Sequence, residues 1–198
     1  FVTFSVRFLD NTIDVSKYPL PEITEMVHGN RKIGLGVMGF ADMLYQLNIP
    51  YDSDEPLETA DAVMQFIQDT AHDASRNLAE EKGVFENYDQ SIYKDQGIKY
   101  RNATTTTIAP TGTLSILAGC SSGIEPLFAL SFVRNVMDND KLLEVNPYFE
   151  KVAIERDFYS RELMDTIAKT GSIRKLMEIP EDVRHVFATA HDVSAEWH

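Results

Sequence analysis

The sequence predicts an α/β protein, helix-rich with a few strands, on three observations. Residues 56–82 carry an apolar stripe at helical spacing. Residues 103–109 hold four consecutive threonines and an isoleucine, a β-branched run that favours a strand. Pro110 stops that run, since proline cannot donate to a ladder. Thr111, Gly112 and Thr113 then form a turn, from which residues 114–118 begin a helix.

Taken in order, residues 4–15 place Phe4, Val6, Phe8, Leu9, Ile13 and Val15 on a broad apolar helical face, and Pro19 and Pro21 end it. Residues 23–29 are expected as a short helix before Arg31 and Lys32. Gly34, Gly36 and Gly39 spell GxGxxG, the dinucleotide fingerprint. That motif needs a buried strand before it and an acid about twenty residues on. Here a polar stretch precedes it, and the distance falls on the lead-in to a helix. The plainer reading is that these glycines let the backbone pass close to a neighbour before a helix over residues 40–47.

Along residues 56–82, Leu57, Ala60, Met64, Ile67, Ala71, Ala74 and Leu78 repeat at three- and four-residue steps. Ser53 or Asp54 suits the cap, Pro56 the first turn and Gly83 the end. The small residues predict close core packing rather than a coiled-coil seam, where alanines pack weakly. Residues 83–100 read as a polar, tyrosine-containing connection. Residues 119–126, GCSSGIEP, are a small-residue loop expected to fold back beside the turn at 110–113. Residues 127–136 read as a strand or buried segment. Helices are expected from Asn146-Pro147 to about residue 156, over 163–170 with Gly171 closing it, and from Pro180 to about 190. Residues 172–178 are expected as a helix or a turn, and Ser194 looks like an N-cap. There is no repeat, low-complexity stretch or linker, so residues 1–198 are expected as a single domain fragment. The chain opens mid-helix on Phe1-Val2 and stops as a helix would begin, which predicts a piece of a longer protein.

Composition bounds the function. The net charge of −13 argues against a nucleic-acid surface, which needs clustered Lys and Arg. No apolar run reaches membrane-spanning length. A single cysteine rules out an internal disulfide framework and fits a reducing cytoplasm.

A strand, a glycine turn and a helix start can cradle phosphate, because the first amides of a helix are unpaired and its dipole favours an anion. Pro110, Thr111, Gly112, Thr113, Leu114 and Ser115 are therefore a candidate phosphate-binding set. Hydroxyls of Thr111, Thr113 and Ser115 add donors, and Gly112 allows close approach. No lysine is present, so this is not a Walker loop. The bland alternative is a capped corner. Glu125 is a candidate for ordering the cradle from behind by accepting backbone N–H bonds. Cys120 has no activating base nearby. His28, His72, His185, His191 and His198 are scattered, and no metal site is expected.

The stretch RNAT–TTIAPTGTLS–AGCSSGIEPLFA, with RKIGLGVMGFADML and RFLDNTIDVSKYPLPEI upstream, resembles the C-terminal part of the catalytic barrel of ribonucleotide reductase large subunits. Its flavour is that of the adenosylcobalamin-dependent type rather than the di-iron type. The resemblance covers essentially the whole chain, and the fixed spacing of PTGT to GIEP is its specific part. It implies a fragment of a ten-stranded α/β barrel. It implies that the parent reduces ribonucleoside diphosphates in the cytoplasm: a thiyl radical, raised with adenosylcobalamin, takes the ribose 3′ hydrogen, the 2′ hydroxyl leaves, and a cysteine pair supplies electrons. A thioredoxin-like reductant follows, and a homodimeric parent is open. Residues 110–115 would hold the substrate diphosphate. In the family the radical cysteine stands in a Cys-x-Glu pattern. Cys120 is followed by Ser121 and Ser122 and departs from it, so it is read as a packing residue, with the radical machinery elsewhere in the parent. Two alternatives stay open: a nucleotide-binding module without chemistry of its own, and a Rossmann-type NAD-dependent dehydrogenase using Gly34–Gly39.

Overall fold

The computed structural model describes residues 1–135 and 141–197. In chain order they form α1 (Val2–Val15), α2 (Pro21–Asn30), α3 (Phe40–Leu47), α4 (Glu55–Lys82), a 3-10 turn (Glu86–Gln90), α5 (Ile92–Asp95), α6 (Gly112–Ala118), β1 (Ser131–Asn135), β2 (Lys141–Val145), α7 (Pro147–Glu155), α8 (Arg161–Thr170) and α9 (Glu181–Val186). Helices dominate and strands are few, as the pattern predicts. Two compact units are present: Phe1–Gly36 with Ala60–Ala109, and Val37–Thr59 with Pro110–His198.

In the first unit, Val6, Ile13, Ile33, Ala71, Ala74 and Leu78 share a core. The two alanines let α4 approach its neighbours closely, as the small-residue stripe implies. On α1 the buried positions are Val6, Asp10 and Ile13, while Phe4, Phe8 and Val15 point to solvent. The expected apolar face is thus narrower and turned, because Asp10 takes the middle of the buried row at helical spacing. It can do so because its carboxylate accepts from Arg31 Nε at 2.9 Å and Asn102 Nδ2 at 3.0 Å. Pro21 opens α2 rather than ending α1, which closes at Ser16.

The threonine run is extended, but it joins its neighbour through one parallel bridge, Leu35 to Thr106, and no ladder. Ile33 N–H bonds the Thr104 carbonyl at 3.1 Å, Leu35 N–H the Thr105 carbonyl at 2.8 Å, and Thr107 N–H the Leu35 carbonyl at 3.1 Å. The close approach falls at the glycines. A Cβ at Gly34 would stand 2.7 Å from Thr107 Cγ2, and one at Gly36 would stand 3.0 Å from the Thr107 carbonyl oxygen. Gly34 and Gly36 therefore flank a hydrogen-bonded Leu35 within the extended segment. A dinucleotide fingerprint would place its glycines in the turn after the strand, so the structure favours the packing reading.

The 83–100 connection is less polar in space than in sequence. Phe85, Tyr88 and Tyr100 are buried, and Tyr93 meets Tyr100 edge-on at 4.9 Å. His72 lies against Tyr100 at 5.0 Å, and burial followed by the Arg76 charge pushes its pKa down, which marks a packing histidine.

In the second unit the core gathers Leu130, Phe149, Met164, Ile167, Ile173 and Phe187. Tyr45 stacks on Phe187 at 4.6 Å and donates to the Ala188 carbonyl at 2.8 Å. β1 and β2 pair antiparallel, with Ser131 opposite Val145 and Val133 opposite Leu143. The expected strand starts later than residue 127, because the Leu127 carbonyl is taken by the Ala190 N–H at 2.8 Å. Val136 and His198 lie outside the described residues. The Asn146 side chain caps α7 through Tyr148 and Phe149 N–H, the Ser160 hydroxyl caps α8, and Gly171, at φ 72°, closes α8. α9 ends at Val186, short of the expected 190, where the Thr189 N–H turns to the Asp192 carboxylate at 2.9 Å.

Candidate functional site

The second unit brings residues 110–115 and the 119–126 loop together, as the sequence predicts. Thr111 is the N-cap residue of α6 at φ 54° and ψ 21°, a left-handed conformation uncommon for a β-branched side chain. Its hydroxyl accepts the Gly123 N–H at 2.8 Å, which holds the cap in place. The Ser115 N–H makes the first bond back to the Thr111 carbonyl at 2.8 Å. The amides of Gly112, Thr113 and Leu114 precede that bond and have no carbonyl within the helix to meet. Pro110, Gly112, Thr113 and Leu114 are exposed, and a Cβ at Gly112 would meet nothing within 4 Å.

The hydroxyls divide. Ser115 is buried, donates to the Gly112 carbonyl at 2.9 Å and pairs with the Ser122 hydroxyl at 2.8 Å. Thr111 is engaged with Gly123. Of the three hydroxyls expected to face a ligand, Thr113 is the one at an exposed position. Spacing does not distinguish these orientations.

Beside this turn lies a cavity of about 720 Å³, lined among others by Asp42, Ser115, Cys120, Ser122, Glu125 and Asn146. Cys120 is half-buried, and burial, then the Asp42 charge, push its thiol pKa up. A protonated thiol is a poor nucleophile, in keeping with a packing role. A Cβ on Gly39 would stand 3.5 Å from Cys120 Cβ. Tyr51 donates to the Ile124 carbonyl at 2.9 Å, and burial, then the Glu125 charge, raise its pKa.

Glu125 is exposed, and among the described residues its carboxylate accepts no backbone N–H. The backbone N–H bond expected at Glu125 is found instead at Asp42, in the first turn of α3 and 5% exposed. The Asp42 carboxylate accepts the Ser121 N–H at 2.6 Å and the Asn146 side-chain amide at 3.3 Å. Glu125 follows the tight turn at Ser122, whose carbonyl accepts the Glu125 N–H at 3.3 Å. Asp42 gives no such signal in sequence, because an acid in the first turn of a helix is favoured by the dipole alone.

Among the described residues, no group of three or more His, Cys, Asp or Glu could hold a metal ion, and no helix is long and apolar enough to cross a membrane.

The chain matches the family model described as ribonucleotide reductase, barrel domain, over residues 1–100 and 96–198. It is 54% identical over 194 residues to the vitamin B12-dependent ribonucleoside-diphosphate reductase of Thermoplasma acidophilum, covering 98% of this chain and 25% of that protein. It is 48% identical to the protein of the same name from Mycobacterium tuberculosis, covering 98% of this chain and 28% of that one. Among solved structures, the class Id ribonucleotide reductase alpha subunit of Actinobacillus ureae superposes with a TM-score of 0.76 at 27% identity, over 95% of this chain and 34% of that one. The chain thus spans about a quarter of the length of these curated relatives.

Proposed function

The chain belongs to the ribonucleotide reductase barrel-domain family, and from there we propose that it is part of a cytoplasmic ribonucleoside-diphosphate reductase in which residues 110–115 bind the substrate diphosphate. The observation that carries the binding role is the exposed start of α6. Three amides precede the first helical bond, Gly112 faces open space, and the turn is fastened from behind by the 119–126 loop. Amides at a helix start suit an anion without any lysine, which reconciles phosphate binding with a net charge of −13. Fixing the phosphates orients the ribose for the radical step, so that remote binding energy appears as rate.

The relatives' printed names support an adenosylcobalamin-dependent parent, in which the bound cofactor supplies radical initiation. No residue of this chain is assigned to hold it. The cavity lining offers no histidine, and its one thiol is held protonated by burial and by Asp42. A thioredoxin-like reductant and a homodimeric assembly belong to the same proposal for the parent.

The test is steady-state kinetics of the full-length reductase with Gly112→Val. Because a Cβ at Gly112 would meet nothing within 4 Å, the variant is expected to fold, with its side chain in the space a phosphate would take. The expected result is a KM for ribonucleoside diphosphate raised about tenfold or more. An unchanged KM would remove residues 110–115 from substrate binding.

A further inference from the structure

The loop that lines the cavity is gripped at one residue. The Ser121 carbonyl accepts the Gly39 N–H at 2.8 Å, the Ser121 N–H donates to Asp42 Oδ2 at 2.6 Å, and the Ser121 hydroxyl accepts the Asp42 N–H at 3.3 Å. All three partners lie at the start of α3. The residues around Ser121 pass this restraint on: Cys120 N–H bonds the Ser115 carbonyl at 3.1 Å, the Ser122 hydroxyl pairs with Ser115, and Gly123 N–H holds the Thr111 hydroxyl. On the other side the Asp42 carboxylate meets the Asn146 amide, and the Asn146 oxygen caps α7. Both carboxylate oxygens are therefore spent on neutral donors that wall the cavity, and Asp42 itself lines it.

We propose that Asp42 is the positioning residue of this site, fixing Ser121 and through it both the cavity wall and the 110–115 turn. The inference rests on the diphosphate reading above and adds what holds the binding turn in shape. A carboxylate suits the task because a charge-assisted bond to a backbone N–H is short and strong. Two bonds to Ser121, one given and one received, leave the loop a single register. Asparagine at 42 would keep one acceptor oxygen, but its amide nitrogen would face the Ser121 N–H or the Asn146 amide, two donors meeting at one side of the site.

The test uses full-length reductase carrying Asp42→Asn, with Gly112→Val alongside, and two readouts: the KM–kcat split for ribonucleoside diphosphate, and the inhibition constant of inorganic pyrophosphate as competitor. Positioning predicts that Asp42→Asn raises both KM and the pyrophosphate constant by the same factor, about tenfold for one lost charge-assisted bond. kcat should fall alongside, because phosphates held less firmly orient the ribose less well. A purely structural role would lower kcat, by reducing the folded fraction, with KM unmoved, and would overturn the proposal. A raised KM with unchanged pyrophosphate inhibition would also overturn it, since Asp42 would then be touching the nucleoside directly. If Gly112→Val weakens pyrophosphate and Asp42→Asn does not, positioning by Asp42 fails while the diphosphate site stands. If neither variant changes pyrophosphate inhibition, the diphosphate reading fails as well.

Discussion

Among the described residues two aspartates are buried, Asp10 and Asp42, one in each compact unit, and they are held in opposite ways. Asp10 is fully buried and surrounded by cations: Arg31 Nε at 2.9 Å, with Lys82 and Arg101 each at 3.5 Å. Burial pushes its carboxyl up, but the Arg31 bond and charge, with Asn102 and Arg101, outweigh that and hold it below the usual carboxylate range. Asp42 is met by neutral donors alone, Ser121 N–H and the Asn146 amide, and it borders a cavity. A carboxylate closed in by opposite charge is a lock within a core. One satisfied by amides at the rim of an opening is positioned to shape what enters. The first unit thus uses its aspartate as a fastening, and the second sets its own beside a cavity.

The largest effect that would sharpen this contrast is on stability at Asp10. Asp10→Ala leaves Arg31 buried without its main partner and is expected to cost about 3–5 kcal/mol, read as a lower urea midpoint. Asp42→Ala leaves the Ser121 N–H unpaired and is expected to cost about 1–3 kcal/mol. Equal losses at the two sites would break the distinction between lock and rim. Next comes Gly36→Ala, whose Cβ would press on the Thr107 carbonyl at 3.0 Å. Overpacking against backbone should cost about 1–3 kcal/mol, and an unchanged melting temperature would show that the two extended segments move apart freely.

Acid gives a smaller, graded version of the Asp10 effect. Its unfolded carboxyl titrates near 3.8 and its folded one lower. As pH falls below about 4 the unfolded chain therefore binds protons first, and the stability present at neutral pH is lost through that range. Asp10→Asn should flatten the acid limb of an unfolding-versus-pH curve, and a limb unchanged by the substitution would place the titration elsewhere. The smallest effect is expected at Cys120. Cys120→Ser should leave turnover of the full-length reductase unchanged, while a collapse in kcat would return the thiol to the chemistry.

What the sequence makes legible is local. The α4 stripe, the Asn146 and Ser160 caps, the glycines at 34 and 36 and the turn at 110–113 each announce themselves through spacing or conformational need. The two buried aspartates do not. Asp10 interrupts an apolar face and looks like a solvent residue until Arg31, Lys82, Arg101 and Asn102 converge from distant parts of the chain. Asp42 hides behind an ordinary first-turn preference. Glu125 lies in the 119–126 loop itself, whereas the carboxylate that accepts the loop's Ser121 N–H stands 79 positions from it. The strand β2 is likewise recognised only through its partner.

The most direct test of the central claim reads the backbone donors themselves. Hydrogen exchange of the full-length reductase, followed by mass spectrometry with and without ADP, should slow exchange in the peptide that covers Gly112, Thr113 and Leu114, and Gly112→Val should abolish the slowing. Equal exchange in that peptide with and without nucleotide, under conditions where ADP is bound, would contradict the assignment of the diphosphate to residues 110–115.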